Sequence, residues 1–120
     1  MFGFEKLEVW QRAIEFADDV YTCTRGFPDS ERFGLTSQMR RAVVSISSNI
    51  AEGSGRGSKR DFGRFVEIAY GSVMEVVSQA QIARRHSFLN DQSFDLLYRK
   101  AEQLARMLSG LRTSLQQTSD

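Results

Sequence analysis

Apolar side chains recur every three or four residues through four separate stretches of the chain, and this pattern constrains the fold more than any other feature. Side chains at that spacing share one face of an α-helix, and such a face must be buried against another element. Turn-forming residues separate the four stretches at 26–30, 53–58 and 88–91. Four amphipathic helices joined by short connections predict an all-α fold, an antiparallel up-and-down four-helix bundle.

We predict a single domain, residues 1–120, whose helices span about residues 7–25, 36–52, 59–86 and 92–117. Thr36 and Ser58 are the expected N-caps of the second and third helices, because a hydroxyl accepts a hydrogen bond from a first-turn N–H. A strand at 43–48 is the competing interpretation, since that run is rich in β-branched residues. We favour a helix, because the apolar residues around it keep helical spacing and no other segment alternates with the period of a strand.

Composition excludes several classes of function. Sixteen basic and fifteen acidic residues leave a net charge of +1, so a basic surface can arise only from uneven placement. One cysteine and one histidine are too few for a disulfide or a closed zinc site. The longest uncharged stretch, Ala42–Ala51, is ten residues long, about half of what a bilayer requires. We therefore expect no metal, no cofactor, no membrane segment and no signal peptide, and a cytoplasmic location.

A polar stripe runs along the second helix, and the residues between its members from Ala42 to Ala51 are apolar except Ser47. Arg41, Ser45, Ser48, Asn49 and Glu52 follow the i, i+4, i+7, i+8, i+11 pattern of one helix face. Unpaired polar groups are costly to bury, at about 1–3 kcal/mol each. We expect the stripe to pack against the third helix and form a buried polar network that fixes the register of the two helices.

The third helix supplies the partners for that stripe. Glu75 is expected to join the network, and Gly71 to let the two helix backbones approach closely. A subunit-interface network is one alternative. Another is a pair of carboxylates, Glu52 and Glu75, that serves metal or acid–base chemistry, although no histidine accompanies them.

A basic loop joins the second and third helices. Arg56, Lys59 and Arg60 lie around the start of the third helix, and Arg64 extends this basic face by one turn. Unpaired N–H groups at a helix start, together with cationic side chains, can bind a phosphate group. The run matches neither G-x-x-x-x-G-K-[ST] nor G-x-G-x-x-G. It indicates either a nucleic-acid backbone contact or a flexible loop whose charges are solvated.

A second basic group lies at the other end of the third helix, where Arg84 and Arg85 precede the next turn. Surface charge that compensates the helix dipole is the competing interpretation. A module with a few phosphate contacts binds weakly and loses affinity as salt rises. A ring of copies adds contacts and raises their effective concentration. Nucleophilic catalysis has little support, and Cys23 suits a small buried apolar role.

Several runs of the sequence carry a family resemblance. The most specific is QMRRAVVSISSNIAEG at 38–53; the others are LEVW at 7–10, FP at 27–28 followed by ERFGL at 31–35, and IAYGS at 68–72 with Glu75. Together they resemble the bacterial four-helix bundle proteins called 23S rRNA intervening-sequence proteins, over nearly the whole chain. Ser47 stands where many members carry proline, which implies a straighter helix here.

The resemblance implies an up-and-down bundle that assembles as a homopentamer, a ring or barrel. The family is named for reading frames inserted in 23S rRNA genes. The chain is also distantly similar to the accessory variability determinants of diversity-generating retroelements, which are basic pentameric bundles that work with a reverse transcriptase and nucleic acid; this sequence is much less basic.

We therefore expect a non-enzymatic homo-oligomer that binds structured nucleic acid, either rRNA or another RNA or DNA. A scaffold for a nucleic-acid enzyme is the alternative, and a carboxylate- or metal-dependent enzyme is the third hypothesis.

Overall fold

The computed structural model describes residues 1–117, and four long helices make up most of them. These are α1 (Glu8–Thr24), α2 (Leu35–Ser54), α3 (Lys59–Arg85) and α4 (Asp91–Gln116), with single turns of 3-10 helix at Gly3–Lys6 and Asp29–Glu31. No strand occurs among the described residues. The predicted all-α fold is confirmed, each helix boundary lies within two residues of its predicted position, and the strand interpretation of 43–48 is wrong.

The helices form a closed bundle in which each packs against its neighbours in the chain and α4 returns to α1. Short connections make successive helices antiparallel. The body measures 47 × 22 × 21 Å, and its long dimension follows from the 27 residues of α3, about 40 Å of helix. Among residues 1–117, no helix combines the length and the apolarity needed to cross a bilayer.

The core runs the full length of the bundle and takes large side chains from every helix. Fully buried examples are Phe16, Met39, Ile46, Val73 and Leu104. An ion pair between Asp19 of α1 and Lys100 of α4 links the first and last helices at the edge of this core.

Aromatic rings pack against one another near both ends of the bundle. The Phe27 ring packs 5.9 Å from that of Phe88, and the Phe4 ring lies 5.1 Å from Trp10. Phe2 stacks on Phe4 with ring centres 6.1 Å apart, but Phe2 and Phe33 remain 74% and 89% exposed. The bundle therefore presents one exposed phenylalanine towards each end.

Of the two predicted N-caps, the structure confirms one and contradicts the other. Ser58 Oγ accepts a hydrogen bond from the Asp61 N–H at 3.1 Å and is the N-cap of α3. Thr36 is not a cap, because α2 begins one residue earlier, after Gly34. The 3-10 turn before α2 brings the Glu31 carboxylate to the helix start, where it accepts from the Leu35 N–H at 3.2 Å.

At Gly53, α2 packs directly against the aromatic side chains of α3. A Cβ atom on Gly53 would lie 2.6 Å from Phe65 Cβ and 2.9 Å from Phe62 Cδ1. Gly71 was expected to serve this purpose, and that expectation is wrong: Gly71 faces outward, and a Cβ there would meet nothing within 4 Å. Gly53 therefore leaves no room for a larger residue beside the turn that connects the two helices.

Candidate functional site: cationic surfaces on a helical bundle

Small polar side chains join α2 to α3 at the middle of the predicted stripe. Ser72 Oγ donates to Ser45 Oγ at 2.9 Å. Asn49 Nδ2 donates to the Ser45 carbonyl oxygen at 2.7 Å and to Ser45 Oγ at 3.0 Å. Ser45 and Asn49 are half-buried, whereas Ser72 is buried. These hydrogen bonds form one contact between α2 and α3 at the centre of the stripe.

The charged members of the predicted network lie elsewhere. Arg41, Glu52 and Glu75 are exposed on the single chain, so the prediction that they join a buried network is wrong. Removing a charge from water costs far more than burying a hydroxyl, and the charged side chains accordingly lie outside the serine contact. Glu52 pairs with Arg56 at 3.3 Å.

The structure also separates the two carboxylates of the catalytic hypothesis. Glu52 lies seven residues beyond Ser45, and Glu75 three residues beyond Ser72. Because α2 and α3 are antiparallel, these offsets point in opposite directions and amount to about 15 Å along the bundle. Glu75 Oε2 accepts from Gln79 Nε2 at 3.3 Å. No group of three His, Cys, Asp or Glu side chains placed to hold a metal occurs within residues 1–117.

The predicted basic loop forms an exposed cationic cluster around the start of α3, and its four members are Arg56, Lys59, Arg60 and Arg64. Between residues 52 and 64 these four cations face two carboxylates, which leaves a net charge of +2. The guanidinium of Arg56 also lies 4.7 Å from the centre of the Phe65 ring. Arg64 is 4.0 Å from Asp61 across one helical turn. The cluster, called the loop cluster below, is held by helix termini rather than by a free loop.

The second basic group is not brought near the loop cluster. Arg84 and Arg85 are exposed in the last turn of α3, about 37 Å of helix away from Lys59. The Arg84 guanidinium lies 4.0 Å from the centre of the Phe94 ring of α4. A single rigid helix thus separates the two basic groups, and one short ligand segment does not reach both.

A third cationic surface was not recognised from the sequence. Arg32, Arg40 and Arg41 line an open groove of about 600 Å³ together with the aromatic rings of Tyr21 and Phe33. Arg41 was predicted to belong to the buried network instead. In the sequence, this surface is indicated only by the neighbouring pairs Arg32-Phe33 and Arg40-Arg41. Tyr21 comes close to these residues only because α1 packs on α2.

The single cysteine is not activated. Burial raises the pKa of the Cys23 thiol; a hydrogen bond with Ser93 opposes that rise, and the nearby Asp19 carboxylate adds to it. A raised pKa keeps the thiol protonated and weakly nucleophilic near neutral pH. Cys23 packs half-buried against the core, in keeping with the apolar role expected for it.

Comparison with known proteins gives a common fold and a family. A search of curated protein sequences finds no match. A crystal structure from Bacteroides thetaiotaomicron VPI-5482, described as a protein with unknown function from the S23 ribosomal protein family, superimposes with a TM-score of 0.81 at 19% identity, over 87% of this chain and 97% of that one. At this identity the similarity shows the fold. The family model for the 23S rRNA-intervening sequence protein matches residues 5–110, from the first 3-10 turn through most of α4. The chain therefore belongs to the 23S rRNA-intervening sequence protein family.

Proposed function

We propose that this protein is a non-enzymatic homo-oligomer, pentameric by the family resemblance, that binds structured nucleic acid through the loop cluster. The description of the family makes 23S rRNA the first nucleic acid to test. The cytoplasmic location expected from the sequence is part of the same proposal. Arg84 and Arg85 would contact phosphates separately from the loop cluster, because they lie at the other end of α3.

The observation that carries the proposal is the loop cluster itself. Its four cations are exposed and lie within two turns of the start of α3. Phosphate contacts by Lys and Arg supply most of the sequence-independent affinity for nucleic acid. The N-terminus of α3 adds a partial positive charge in the same place. The cluster thus presents positive charge locally, although the chain as a whole is nearly neutral.

Oligomer formation is supported by apolar side chains on the outer surface of α3. Ile68 and Ile82 are 52% and 47% exposed, on a helix whose inner face already fills the core. The two side chains lie on one side of α3, about 21 Å apart along it, and exposed apolar side chains are a common feature of protein contacts. A ring of subunits would cover such residues and would also place several loop clusters on one assembly, which increases avidity without new contacts.

Charge reversal in the loop cluster tests the nucleic-acid half of the proposal. We expect Lys59→Glu with Arg60→Glu to weaken binding to structured 23S rRNA fragments by about 10- to 100-fold, and to flatten the slope of log affinity against log salt by about 1.8. Acidic residues suit the first turn of a helix, so the fold of α3 is expected to persist. Fluorescence anisotropy at about 50 mM and about 200 mM salt measures both quantities.

A matched control for this variant is Arg99→Glu with Arg106→Glu, which changes the net charge equally on the exposed face of α4. Its affinity should fall much less. If the wild-type protein fails to bind at low salt, or if the two double variants lose affinity equally, the loop cluster is not the binding surface.

Light scattering tests the oligomeric half. We expect the wild-type protein to show about five times the 13.6 kDa mass of one chain, and Ile68→Glu with Ile82→Glu to show the mass of one chain, because buried carboxylates oppose association. Both sites are exposed, so the fold of the subunit should change in stability by no more than about 0.5 kcal/mol. Leu96→Glu on α4 is the control. A wild-type mass of one chain would contradict the proposal.

A second candidate function is a scaffold for a nucleic-acid enzyme, and the same α3 residues favour it. If the double variant keeps the wild-type mass, Ile68 and Ile82 do not lie between subunits and are free for another protein. Retention of a protein partner by the wild type, and its loss from the double variant, would then favour this function over direct nucleic-acid binding.

A further inference from the structure

The groove defined by Arg32, Arg40 and Arg41 lies on the opposite half of the bundle from the loop cluster. It runs over the outer face of the first three turns of α2, between the last turn of α1 and the connection that precedes α2. The α2 residues that line it extend from Thr36 to Ser45, about 14 Å along the helix. The groove is open along its length and therefore suits an extended ligand better than an enclosed small molecule.

The positive charge in this groove is not neutralised from within the chain. Among residues 1–117, none of the three arginines forms an ion pair with a carboxylate. The nearest acidic residue in sequence, Glu31, is occupied at the start of α2 by the Leu35 N–H. Three guanidinium groups without a carboxylate partner repel one another on one open surface, and a polyanion relieves that repulsion.

One of the three guanidinium groups is held in place. Arg40 Nε donates to Thr24 Oγ1 at 2.9 Å, and Thr24 is only 2% exposed. The Arg40 guanidinium also lies 4.7 Å from the centre of the Tyr21 ring. A side chain that is already ordered loses less entropy when it binds a ligand. Arg40 is therefore prepared to donate its remaining N–H groups to a phosphate.

The groove also offers aromatic faces. Phe33 is 89% exposed, the highest value among the large apolar residues of the described chain, and the Arg32 guanidinium lies 5.4 Å from its ring centre. Sites for single-stranded nucleic acid combine a cationic groove with aromatic rings on which bases stack. Bases inside a duplex already stack on one another, so an exposed ring favours unpaired bases.

We propose that this groove binds a short single-stranded segment of nucleic acid, with phosphates on Arg32, Arg40 and Arg41 and a base stacked on Phe33. The proposal rests on the proposed function, that the protein binds nucleic acid, and adds a second surface with a different preference. The loop cluster contacts the backbone of a structured region, whereas the groove selects an unpaired stretch beside it.

The test compares two exposed groove residues, whose replacement leaves the fold intact, with matched residues elsewhere. The variants are Phe33→Ala and Arg41→Gln, and the controls are Phe2→Ala, 74% exposed at the other end of the bundle, and Arg106→Gln on α4. The probes are a labelled single-stranded oligouridine of about twelve nucleotides and an RNA duplex of similar length. Anisotropy gives affinities for both probes.

We expect Phe33→Ala to weaken binding of the single strand by about 5- to 100-fold, the equivalent of one lost base stack, and to change binding of the duplex less than about twofold. Arg41→Gln should reduce the salt slope for the single strand by about 0.7. The two controls should leave both affinities unchanged. In the loop variant Lys59→Glu with Arg60→Glu, binding of the duplex should suffer more than binding of the single strand.

Each of the other outcomes contradicts either the groove proposal, the proposed function, or both. If Phe33→Ala and Arg41→Gln bind the single strand like wild type while the loop variant loses the duplex, the groove proposal is wrong and the proposed function stands. If the groove variants lose the single strand but the loop variant binds normally, the groove is correct and the loop cluster is not the main site. If neither probe binds the wild type, both fail. If the groove variants change the mass in light scattering, the groove is a contact between copies of the chain.

Discussion

Replacement of Phe16 by alanine is expected to lower the free energy of unfolding by about 3–5 kcal/mol, the largest effect of any variant considered for this protein. Phe16 is fully buried in α1 and lies among Val76 of α3 and Phe94 and Leu97 of α4. Its removal leaves a cavity that rigid helices fill only partly, and the lost contacts add to the lost transfer free energy. Urea denaturation followed by circular dichroism measures the change.

Phe33→Ala is the matched control, because it removes the same atoms from an 89% exposed position. Its free energy of unfolding should change by less than about 0.5 kcal/mol. Equal losses from the two variants would mean that Phe33 is buried in solution, either by another subunit or by a different packing of the α1–α2 connection. The comparison also shows whether the groove variant Phe33→Ala is a clean probe of binding.

Gly53→Ala is the second prediction, and we expect it to lower the free energy of unfolding by about 1–2 kcal/mol. The new methyl group would lie 2.6 Å from Phe65 Cβ, an atom bonded directly to the backbone of α3. Overpacking of this kind costs about 1–3 kcal/mol, which exceeds the roughly 0.5–1 kcal/mol that alanine gains over glycine inside a helix. The melting temperature should fall by about 4 °C for each kcal/mol.

Gly71→Ala is the control, and we expect it to change the free energy of unfolding in the opposite direction. This glycine also lies within a helix, but a Cβ there would meet nothing within 4 Å. The variant should therefore stabilise the protein by roughly 0.5–1 kcal/mol through helix propensity alone. If Gly53→Ala stabilises the protein to the same degree, α2 and α3 do not approach as closely at their turn as the structure indicates.

The helices were predictable from the sequence because the signals that start, continue and end a helix are local. Ser58 caps α3 as its hydroxyl predicted, and apolar spacing located all four helices to within two residues. The one misplaced cap, Thr36, shows where local reasoning fails. The Glu31 carboxylate takes its place because a separate 3-10 turn brings it to the helix start. Capping rules consider only the residues that adjoin the helix itself, so they do not predict this contact.

In the candidate site, too, the features that depend on neighbouring residues were predictable, and those that depend on helix packing were not. The loop cluster was predictable because its residues are neighbours in sequence around one helix start. Which residues of the polar stripe are buried was not predictable, because spacing on α2 shows only that Arg41, Ser45 and Glu52 share a face. How far that face rotates towards α3 depends on the packing of both helices, which buries the serine contact and leaves the charges in water.

By itself, the sequence determined the number of helices, their limits and the loop cluster, since each of these depends on residues close together in the chain; the family resemblance could also be read directly from runs of residues. Only the tertiary structure decided which polar residues are buried, that Gly53 and not Gly71 is the point of close contact, and that Tyr21 joins the arginines of the groove. These properties depend on how far each helix is rotated and shifted against the next. The free energy that sets those angles is summed over the whole core, and no single segment encodes it.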